Sequence, residues 1–295
     1  MPETAAECSV AIRAQYYEQF DADFSLDVPE EGFGGWKSAE LEINPDRTAL
    51  VVMHAWDCGT YEEFPGWWKR VPYIPIADRI AREVFPPLLG AVRESPLELF
   101  HVVGGGDYYT HLPGYQRAVE LAGPALESPE QVETDRALER LRQFKQDLIA
   151  HTAEDTRRGF EQVDFPDEAR PVGDEGIAAN APQLLALCKE AGVNHLVYVG
   201  FAINWCLLLS PGGMADMSRH GVMCSTIREA TTAVENADTA RNELAKEVAL
   251  WRVALAFGYV FDQKDFLAAL ARIPGRSSGR CHPISSHPTP PATSG

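Results

Sequence analysis

The sequence predicts an α/β protein in which helices cover both faces of a parallel sheet. Two observations predict this fold class. Short apolar runs recur along the chain, and longer segments with helical spacing of apolar residues separate them. Because neighbouring parallel strands need a long crossover connection, usually a helix, this alternation indicates right-handed βαβ units. Ligands of such sheets bind beyond the carboxyl ends of the strands.

Four short apolar runs, each bounded by polar or turn-forming residues, are typical of buried strands. They cover residues 48–54, 97–103, 194–200 and 221–227. Near the end of this region, residues 259–273 begin as a short strand or loop and continue as a helix.

Four other segments carry apolar residues at helical spacing and are predicted as helices. They cover residues 76–95, 135–160, 179–192 and about 232–257. Gly192 is expected to end the third helix as its C-cap. The alternating charges of residues 135–160 are typical of a solvated helix face.

The two ends of the chain differ from the region between them. Residues 1–44 are acidic and aromatic, and we expect an arm that packs on the domain formed by residues 45–273. Residues 274–295 are rich in Pro, Ser and Gly and have few apolar side chains. Such a segment buries too little surface to offset its ordering entropy, so a disordered tail is predicted.

Composition narrows the function classes. The formal net charge of −17 repels phosphate backbones, so nucleic acid is not an expected partner. No apolar stretch approaches a membrane span, and the amino terminus has no signal-peptide pattern. The six cysteines are scattered without C-x-x-C spacing, which favours a reducing cytoplasm. We therefore expect a cytoplasmic protein that binds a small molecule.

A cysteine follows the third predicted strand in the segment Gly200-Phe-Ala-Ile-Asn-Trp-Cys206. A thiol in the first turn of a helix lies near unpaired N–H groups and the positive end of the dipole, and both favour the thiolate. The N–H groups of Trp205 and Cys206 could then hold an oxyanion. The alternative, a cysteine that fills a small core site, is equally compatible with the position.

Four segments resemble motifs of the isochorismatase-like hydrolases, which include nicotinamidases and carbamoylsarcosine amidases. GFAINWCL is similar to the cysteine motif G-x-x-T-N-x-C-V, and TALVVMHAWD to the first strand, T-A-L-L-V-x-D-M-Q. GVMCSTIREATTA and FGYVFDQKDFLAAL resemble the later strand and the terminal motif, so the resemblance spans roughly residues 48–271. It implies a three-layer α/β/α sandwich around a mostly parallel, six-stranded, Rossmann-like sheet.

The resemblance also implies a catalytic set of a cysteine nucleophile, an aspartate base and a lysine. Cys206 matches the nucleophile, but His54 stands where the family has the aspartate. The lysine is expected within residues 169–175, where Arg170 is the only cation, and Ile203 replaces the motif threonine. Two members of the set are therefore replaced.

His54 has two interpretations. A Cys–His pair is a workable nucleophile and base, because imidazole titrates near neutral pH, and Asp57 could orient the ring. Alternatively, His54 is a structural residue at a site that has lost catalysis. The sequence leaves both interpretations open.

Aromatic side chains are concentrated in the loops after the first two strands, and they could form the wall of an apolar pocket. Equally, they could pack the arm or a subunit interface; since members of the resembled family are commonly oligomers, a homo-oligomer is expected. The predicted substrate-contacting residues are Trp56, Tyr108, Phe201, Ala202 and Trp205.

No cofactor is expected. A divalent metal near Asp107 and His111 is a minor alternative, because some members of the resembled family bind one after the second strand. The sequence shows no third ligand at a clean spacing, and His101 is predicted as a core or half-buried residue.

These observations predict a hydrolase that cleaves a small amide- or ureide-type C–N bond through the Cys206 thiolate. The alternative is an inactive relative that binds a small molecule or a protein partner in the same pocket. Vinyl-ether hydrolysis is disfavoured, because that reaction uses the aspartate that His54 replaces.

Overall fold

A single eight-stranded sheet runs through the computed structural model, which describes residues 9–124 and 131–273. Its order is β2-β1-β8-β7-β6-β3-β4-β5. The strands are β1 (Val10–Glu18), β2 (Gly35–Ile43), β3 (Thr48–Met53), β4 (Glu98–Val102), β5 (Gly176–Ala178), β6 (His195–Phe201), β7 (Met223–Thr232) and β8 (Val260–Phe261). The six strands from β8 to β5 are parallel, β1 is antiparallel to β8, and β2 is antiparallel to β1.

Helices form the two outer layers, which confirms the predicted α/β/α sandwich. They are α1 (Pro65–Arg70), α2 (Ile74–Glu83), α3 (Phe85–Glu94), α4 (Pro113–Ala122), α5 (Arg136–Glu161), α6 (Ala181–Ala191), α7 (Cys206–Leu209), α8 (Met214–Arg219), α9 (Leu244–Ala256) and α10 (Gln263–Leu270). None of these helices is long and apolar enough to span a bilayer.

The alternation of side chains along the central strands separates two cores. Leu50 and Val52 of β3 face the core formed with α2, α3 and α10. Val51 and Met53 face the opposite core, formed with α4, α6, α8 and α9. Since both faces are covered, all six residues of β3 are buried, as the continuous apolar run predicted.

Two predicted helices differ from the structure. The segment 76–95 forms two helices, α2 and α3, that meet at Val84 and Phe85. Pro86 and Pro87 explain the break, because proline fits the first turn of a new helix but not a helix interior. The helix predicted from about residue 232 begins only at Leu244, since β7 continues to Thr232.

The prediction for residues 179–192 is confirmed in detail. The Asn180 side chain caps α6 by accepting from the Gln183 N–H, and Gly192 ends it in a left-handed conformation with φ 72°. Helix α5 is likewise within one residue of its predicted bounds.

The hairpin β1–β2 contains most of the predicted amino-terminal arm. It does not lie across a helical layer but extends the sheet, because β1 pairs with β8 at Ala14–Phe261 and Gln15–Val260. The division of the chain at residues 44 and 273 stays a prediction. The predicted disordered tail, residues 274–295, lies outside the described residues.

Candidate active site

Cys206 stands directly beyond the carboxyl end of β6, as the first residue of α7. The loop before it is anchored to the end of β7: the Ile203 N–H donates to the Thr232 carbonyl at 2.8 Å. The Asn204 side chain adds two bonds, accepting from the N–H of Val234 at 2.9 Å and donating to its carbonyl at 2.8 Å. These bonds fix the half-buried Cys206 at the predicted edge of the sheet.

Only one of the two predicted oxyanion donors is available. The Trp205 N–H already donates to the Ala202 carbonyl at 3.1 Å, whereas the Cys206 N–H has no backbone partner among the described residues. Helix α7 has only four residues, so its dipole is weaker than that of the longer helix which the sequence suggested. Stabilisation of a thiolate here would depend on local N–H groups more than on the dipole.

His54 follows β3 in a left-handed conformation, with φ 49°. Its backbone N–H donates to the Val102 carbonyl of β4 at 2.9 Å. The imidazole ring stacks on Trp56, with ring centroids 4.9 Å apart and planes 13° apart. It also covers Gly104, where an added Cβ would lie 3.1 Å from Nε2. The ring is therefore held on the side of β3 that faces β4.

The surroundings of His54 keep its ring neutral. Together with His101 and Tyr108, it lines a small internal cavity, and its Nδ1 is buried without a hydrogen-bond partner in the described structure. Burial lowers the pKa of His54 to about 4. Among the described residues, no hydrogen bond or ring contact joins His54 to Cys206. The Cys–His pair therefore stays a prediction.

Tyr73 lies on the Cys206 side of the site, at the N-terminus of α2. Burial raises the pKa of its hydroxyl, and the negative charges that Cys206 and Cys58 would carry as thiolates raise it further. The hydroxyl is thus within electrostatic range of the proposed nucleophile. The sequence marks Tyr73 only as one of the aromatic residues after the first strand. Its position just before Ile74-Pro75, a helix start, is the feature that could have singled it out.

Asp57 and Arg170 meet at a common neighbour, Asp164. The Asp57 N–H donates to the Asp164 carbonyl at 2.8 Å, and the Asp57 carboxylate accepts from Gly59 at 2.9 Å. Arg170 forms a two-pronged ion pair with the Asp164 carboxylate, at 2.9 and 3.2 Å. Both side chains are exposed in part; Asp57 as orienter of His54 and Arg170 as the cation in place of the family lysine both stay predictions.

Aromatic side chains pack against one another beside His54, and their role as the wall of a substrate pocket stays a prediction. Trp56 Nε1 donates to the Tyr108 hydroxyl at 3.0 Å, and Trp56 meets the Phe160 ring edge-on. Tyr108 packs in turn on Phe165, with centroids 4.8 Å apart. These contacts make a rigid aromatic surface above the carboxyl ends of β3 and β4.

The remaining predicted contact residues have contrasting surroundings. The Trp205 side chain is 60% exposed next to Cys206. By contrast, the Phe201 ring is buried and stacks on Phe85 in the core, and Ala202 is fully buried. Phe201 and Ala202 can reach a substrate only through their backbone atoms.

A buried charged network lies beneath the site and was not anticipated. His101 Nε2 lies 2.9 Å from Glu175, which accepts from Arg93 at 2.7 Å on its other oxygen. Burial lowers the pKa of His101, whereas the bond to Glu175 raises it, and Nε2 donates to the Glu175 carboxylate. Burial alone would raise the pKa of Glu175, but the bonds from His101 and Arg93 lower it to about 2. The network fastens β4 to the start of β5.

Among the described residues, no third ligand joins Asp107 and His111 at the metal site that the sequence leaves as a minor alternative. Asp107 and His111 are both exposed on the loop after β4, and His101 is turned toward Glu175. Over residues 9–124 and 131–273, no three His, Cys, Asp or Glu side chains converge as metal ligands. The absence of a cofactor stays an expectation.

Comparison with known proteins finds similar solved structures but no matching protein family. No protein-family model and no curated protein match the chain. Similar structures include a cysteine hydrolase from Pseudomonas syringae pv. phaseolicola, with 14% identity, coverage of 78% of this chain and 94% of that one, and TM-score 0.45. Another is an isochorismatase-like hydrolase from Alkaliphilus metalliredigens, with 15% identity, coverage of 76% and 97%, and TM-score 0.44.

A third similar structure is a nicotinamidase/pyrazinamidase from Acinetobacter baumanii, with 12% identity, coverage of 76% of this chain and 100% of that one, and TM-score 0.38. The structural neighbours are thus of the kind that the sequence motifs resemble. None of these values assigns an activity to this chain.

Proposed function

We propose that the protein is a hydrolase that cleaves the C–N bond of a small amide- or ureide-type compound through Cys206. The observation that carries the proposal is the position of this thiol: half-buried, beyond the carboxyl end of a central parallel strand, with its own N–H unused by the backbone. That edge of a parallel sheet is where ligands bind.

The proposed reaction proceeds through a covalent thioester. The thiolate sulfur attacks the carbonyl carbon, and the Cys206 N–H donates to the oxyanion. The C–N bond then breaks, the nitrogen leaves with a proton, and water hydrolyses the thioester to the acid. Tyr73, whose hydroxyl stays protonated at neutral pH, is a candidate donor of a hydrogen bond to the sulfur or the leaving nitrogen.

His54 is the proposed base. A neutral imidazole can accept a thiol proton, but the pKa of about 4 that burial gives His54 makes it a weak base in its packed position. Its ring must first leave the Trp56 stack and turn toward β6. Arg170 is proposed to hold an anionic group of the substrate, in competition with its ion pair to Asp164.

The alternative function is ligand binding without turnover. The placement of His54 against Trp56 and Gly104, away from Cys206, favours this alternative. In that case Cys206→Ala keeps ligand affinity, and no amide is hydrolysed.

The test follows alkylation of the thiols and release of ammonia. We expect iodoacetamide to modify Cys206 at a pH well below the ~8.5 of a free thiol, as read by peptide mass spectrometry. Cys58 serves as the internal control, because burial raises the pKa of its thiol to about 12. A panel of small amides and ureides should release ammonia with wild-type protein and with Cys58→Ala, but not with Cys206→Ala.

Two results would count against the proposal. Alkylation of Cys206 no faster than in denatured protein would remove the nucleophile. Ammonia release that survives Cys206→Ala would move the chemistry to another residue.

We further propose that the protein works in the cytoplasm. The four cysteines within the described residues, Cys58, Cys188, Cys206 and Cys224, are all free thiols, which suits a reducing compartment.

A further inference from the structure

Helix α5 is covered by the other described residues along only half its length. In the carboxyl half, Thr152 and Gly159 are buried against α1. The Gly66 N–H donates to the Asp155 carboxylate at 2.7 Å, and an added Cβ at Gly159 would lie 2.0 Å from the Trp67 ring. This half is tightly packed.

The amino half, residues 136–149, continues the same apolar face, and nothing within residues 9–124 and 131–273 covers it; we call it the open half of α5. Leu141 and Leu148 are spaced by seven residues and lie in line with Thr152 and Gly159. Leu141 is 66% exposed, Phe144 63% and Leu148 60%. Three large apolar side chains in solvent on one helix mark a surface for a partner.

The open half of α5 carries four cations against two acids, Glu139 and Asp147, so it is basic although the protein as a whole has a net charge of −17. Four cations lie within ten residues, and none forms an ion pair with a described residue. They are Arg136, Arg140, Arg142 and Lys145. A partner of this surface should therefore be apolar and acidic.

The loop between β1 and β2, residues 19–34, has this complementary character, and we call it the acidic tip. Phe24 is 87% exposed and Phe20 60% exposed, with Leu26 and Val28 exposed beside them. No lysine or arginine occurs between residues 14 and 36. Its exposed acids have no ion-pair partner among the described residues; they are Asp21, Asp23, Asp27, Glu30 and Glu31.

The acidic tip and the packed carboxyl half of α5 lie at opposite ends of the parallel strands. Strand β1 runs antiparallel to β8, so the acidic tip lies at the amino ends of the parallel strands. Helix α5 packs on α1 and on the loop after β4, and a Cβ at Gly105 would touch Phe160. Both features follow carboxyl ends of strands. Within the described part of one chain, no hydrogen bond, ion pair or ring contact joins the two surfaces, so a contact between them would form between separate molecules.

We propose that the acidic tip of one copy of this chain docks on the open half of α5 of a second copy. Phe20 and Phe24 would cover Leu141, Phe144 and Leu148, while the tip carboxylates face the helix cations. The inference is independent of the proposed hydrolase function, since neither surface includes Cys206.

The test uses charge reversal, with sedimentation velocity over a range of protein concentrations. We expect the wild-type chain to self-associate, and Arg140→Glu/Arg142→Glu to weaken association at least about tenfold. Asp27→Lys/Glu30→Lys should weaken it similarly. Combining the four substitutions restores the net charge of −17 and should restore association. Mixing the two reversed variants should restore association between unlike molecules, because the unaltered tip of one variant can dock on the unaltered helix of the other.

The control is Lys189→Glu/Arg219→Glu, which makes the same change of net charge at exposed residues on other helices. It should leave association unchanged, and circular dichroism should show that all variants are folded. Raising the NaCl concentration from about 50 to about 500 mM should weaken the wild-type contact, because exposed charges are screened.

Three outcomes would overturn the proposal. The first is a wild-type chain that is monomeric at all concentrations, and the second is an oligomer that both reversals leave intact. The third is dissociation by the helix reversal while the tip reversal has no effect, since a different partner would then cover α5.

Discussion

The carboxyl ends of β3 and β6 lie side by side, yet they present their side chains to different surroundings. Met53 pairs with Gly200 in the last register position that the two strands share. Beyond β6, Cys206 is half-buried and Trp205 is open to solvent. Beyond β3, the His54 ring is packed on Trp56 and its Nδ1 is buried. Adjacent strand ends therefore do not guarantee that their side chains converge.

The difference arises from the backbone at His54. Its left-handed conformation, which costs a non-glycine residue about 1–2 kcal/mol, redirects the chain at the strand end toward β4. The ring then fills the space above Gly104, which lies two residues after β4 and has no side chain. An aspartate is too short to make the same stack on Trp56, so the histidine changes the site in shape as well as in charge.

The largest loss of stability should come from disturbing the close contact between the carboxyl ends of β3 and β6. Gly200 has φ 117°, and an added Cβ would lie 2.0 Å from the Met53 carbonyl oxygen. Gly200→Ala should therefore lower the free energy of unfolding by about 3–5 kcal/mol, or prevent folding. Urea denaturation measures this.

Gly221→Ala is the matched control, because Gly221 also has a positive φ, 78°, but nothing lies within 4 Å of an added Cβ. It should cost only about 1 kcal/mol. Equal losses in the two variants would show that β3 and β6 are less closely apposed than described.

Lowering the pH should reduce the free energy of unfolding by a smaller amount. The pKa of His54 is about 4 in the folded protein and near 6.5 when unfolded, so the unfolded chain binds a proton first as the pH falls. Stability is therefore complete above pH ~6.5 and is lost toward pH 4, by roughly 3 kcal/mol for this group. His195 has the same shifted pKa, about 4, from burial, and adds a similar loss.

The measurement compares the unfolding free energy at several pH values in wild type and His54→Gln. The variant should lose about 3 kcal/mol less than wild type between pH 7 and pH 4. His151→Gln, at an exposed position on α5, is the control and should follow wild type. An unchanged pH dependence in His54→Gln would mean that the ring is solvated, and so free to turn toward Cys206.

The smallest effect on stability should come from replacing Gly104. An alanine there would press on His54 Nε2 at 3.1 Å, so the ring must shift by a few tenths of an ångström. Gly104→Ala should change stability by less than about 1 kcal/mol. If the proposed ring motion occurs, the variant should favour the turned-out ring and increase amide turnover. Nuclear magnetic resonance of the His54 ring protons together with the ammonia assay separates this result from a purely structural effect.

The central sheet could be predicted because its strands are buried on both faces and read as continuous apolar runs. Strand β5 was missed, since its three residues, Gly176–Ala178, give no periodicity. The sequence predicts an arm and not a hairpin, because the outer strand alternates charged and apolar residues as an edge strand does. The pairing of β1 with β8 joins residues more than 200 positions apart, which no local pattern encodes.

The site could be predicted less completely than the fold. The place of Cys206 follows from a motif within seven residues, and it is confirmed at the end of β6. The orientation of His54 depends on Gly104, fifty residues away, and on the Trp56 stack. The His101–Glu175 bond likewise joins β4 to a loop 74 residues later. Contacts between residues so far apart in the sequence fix the orientations of the side chains, and these orientations determine which chemistry the site can perform.

The two outermost strands of the sheet have a consequence for solubility. At one border, β5 is only three residues long; at the other, β2 exposes Lys37, Glu40 and Glu42. Open strand borders can recruit further strands into fibrils, and brevity and charge both oppose this. The chain is thus protected at both borders against cross-β growth while the long apolar strands stay in the interior.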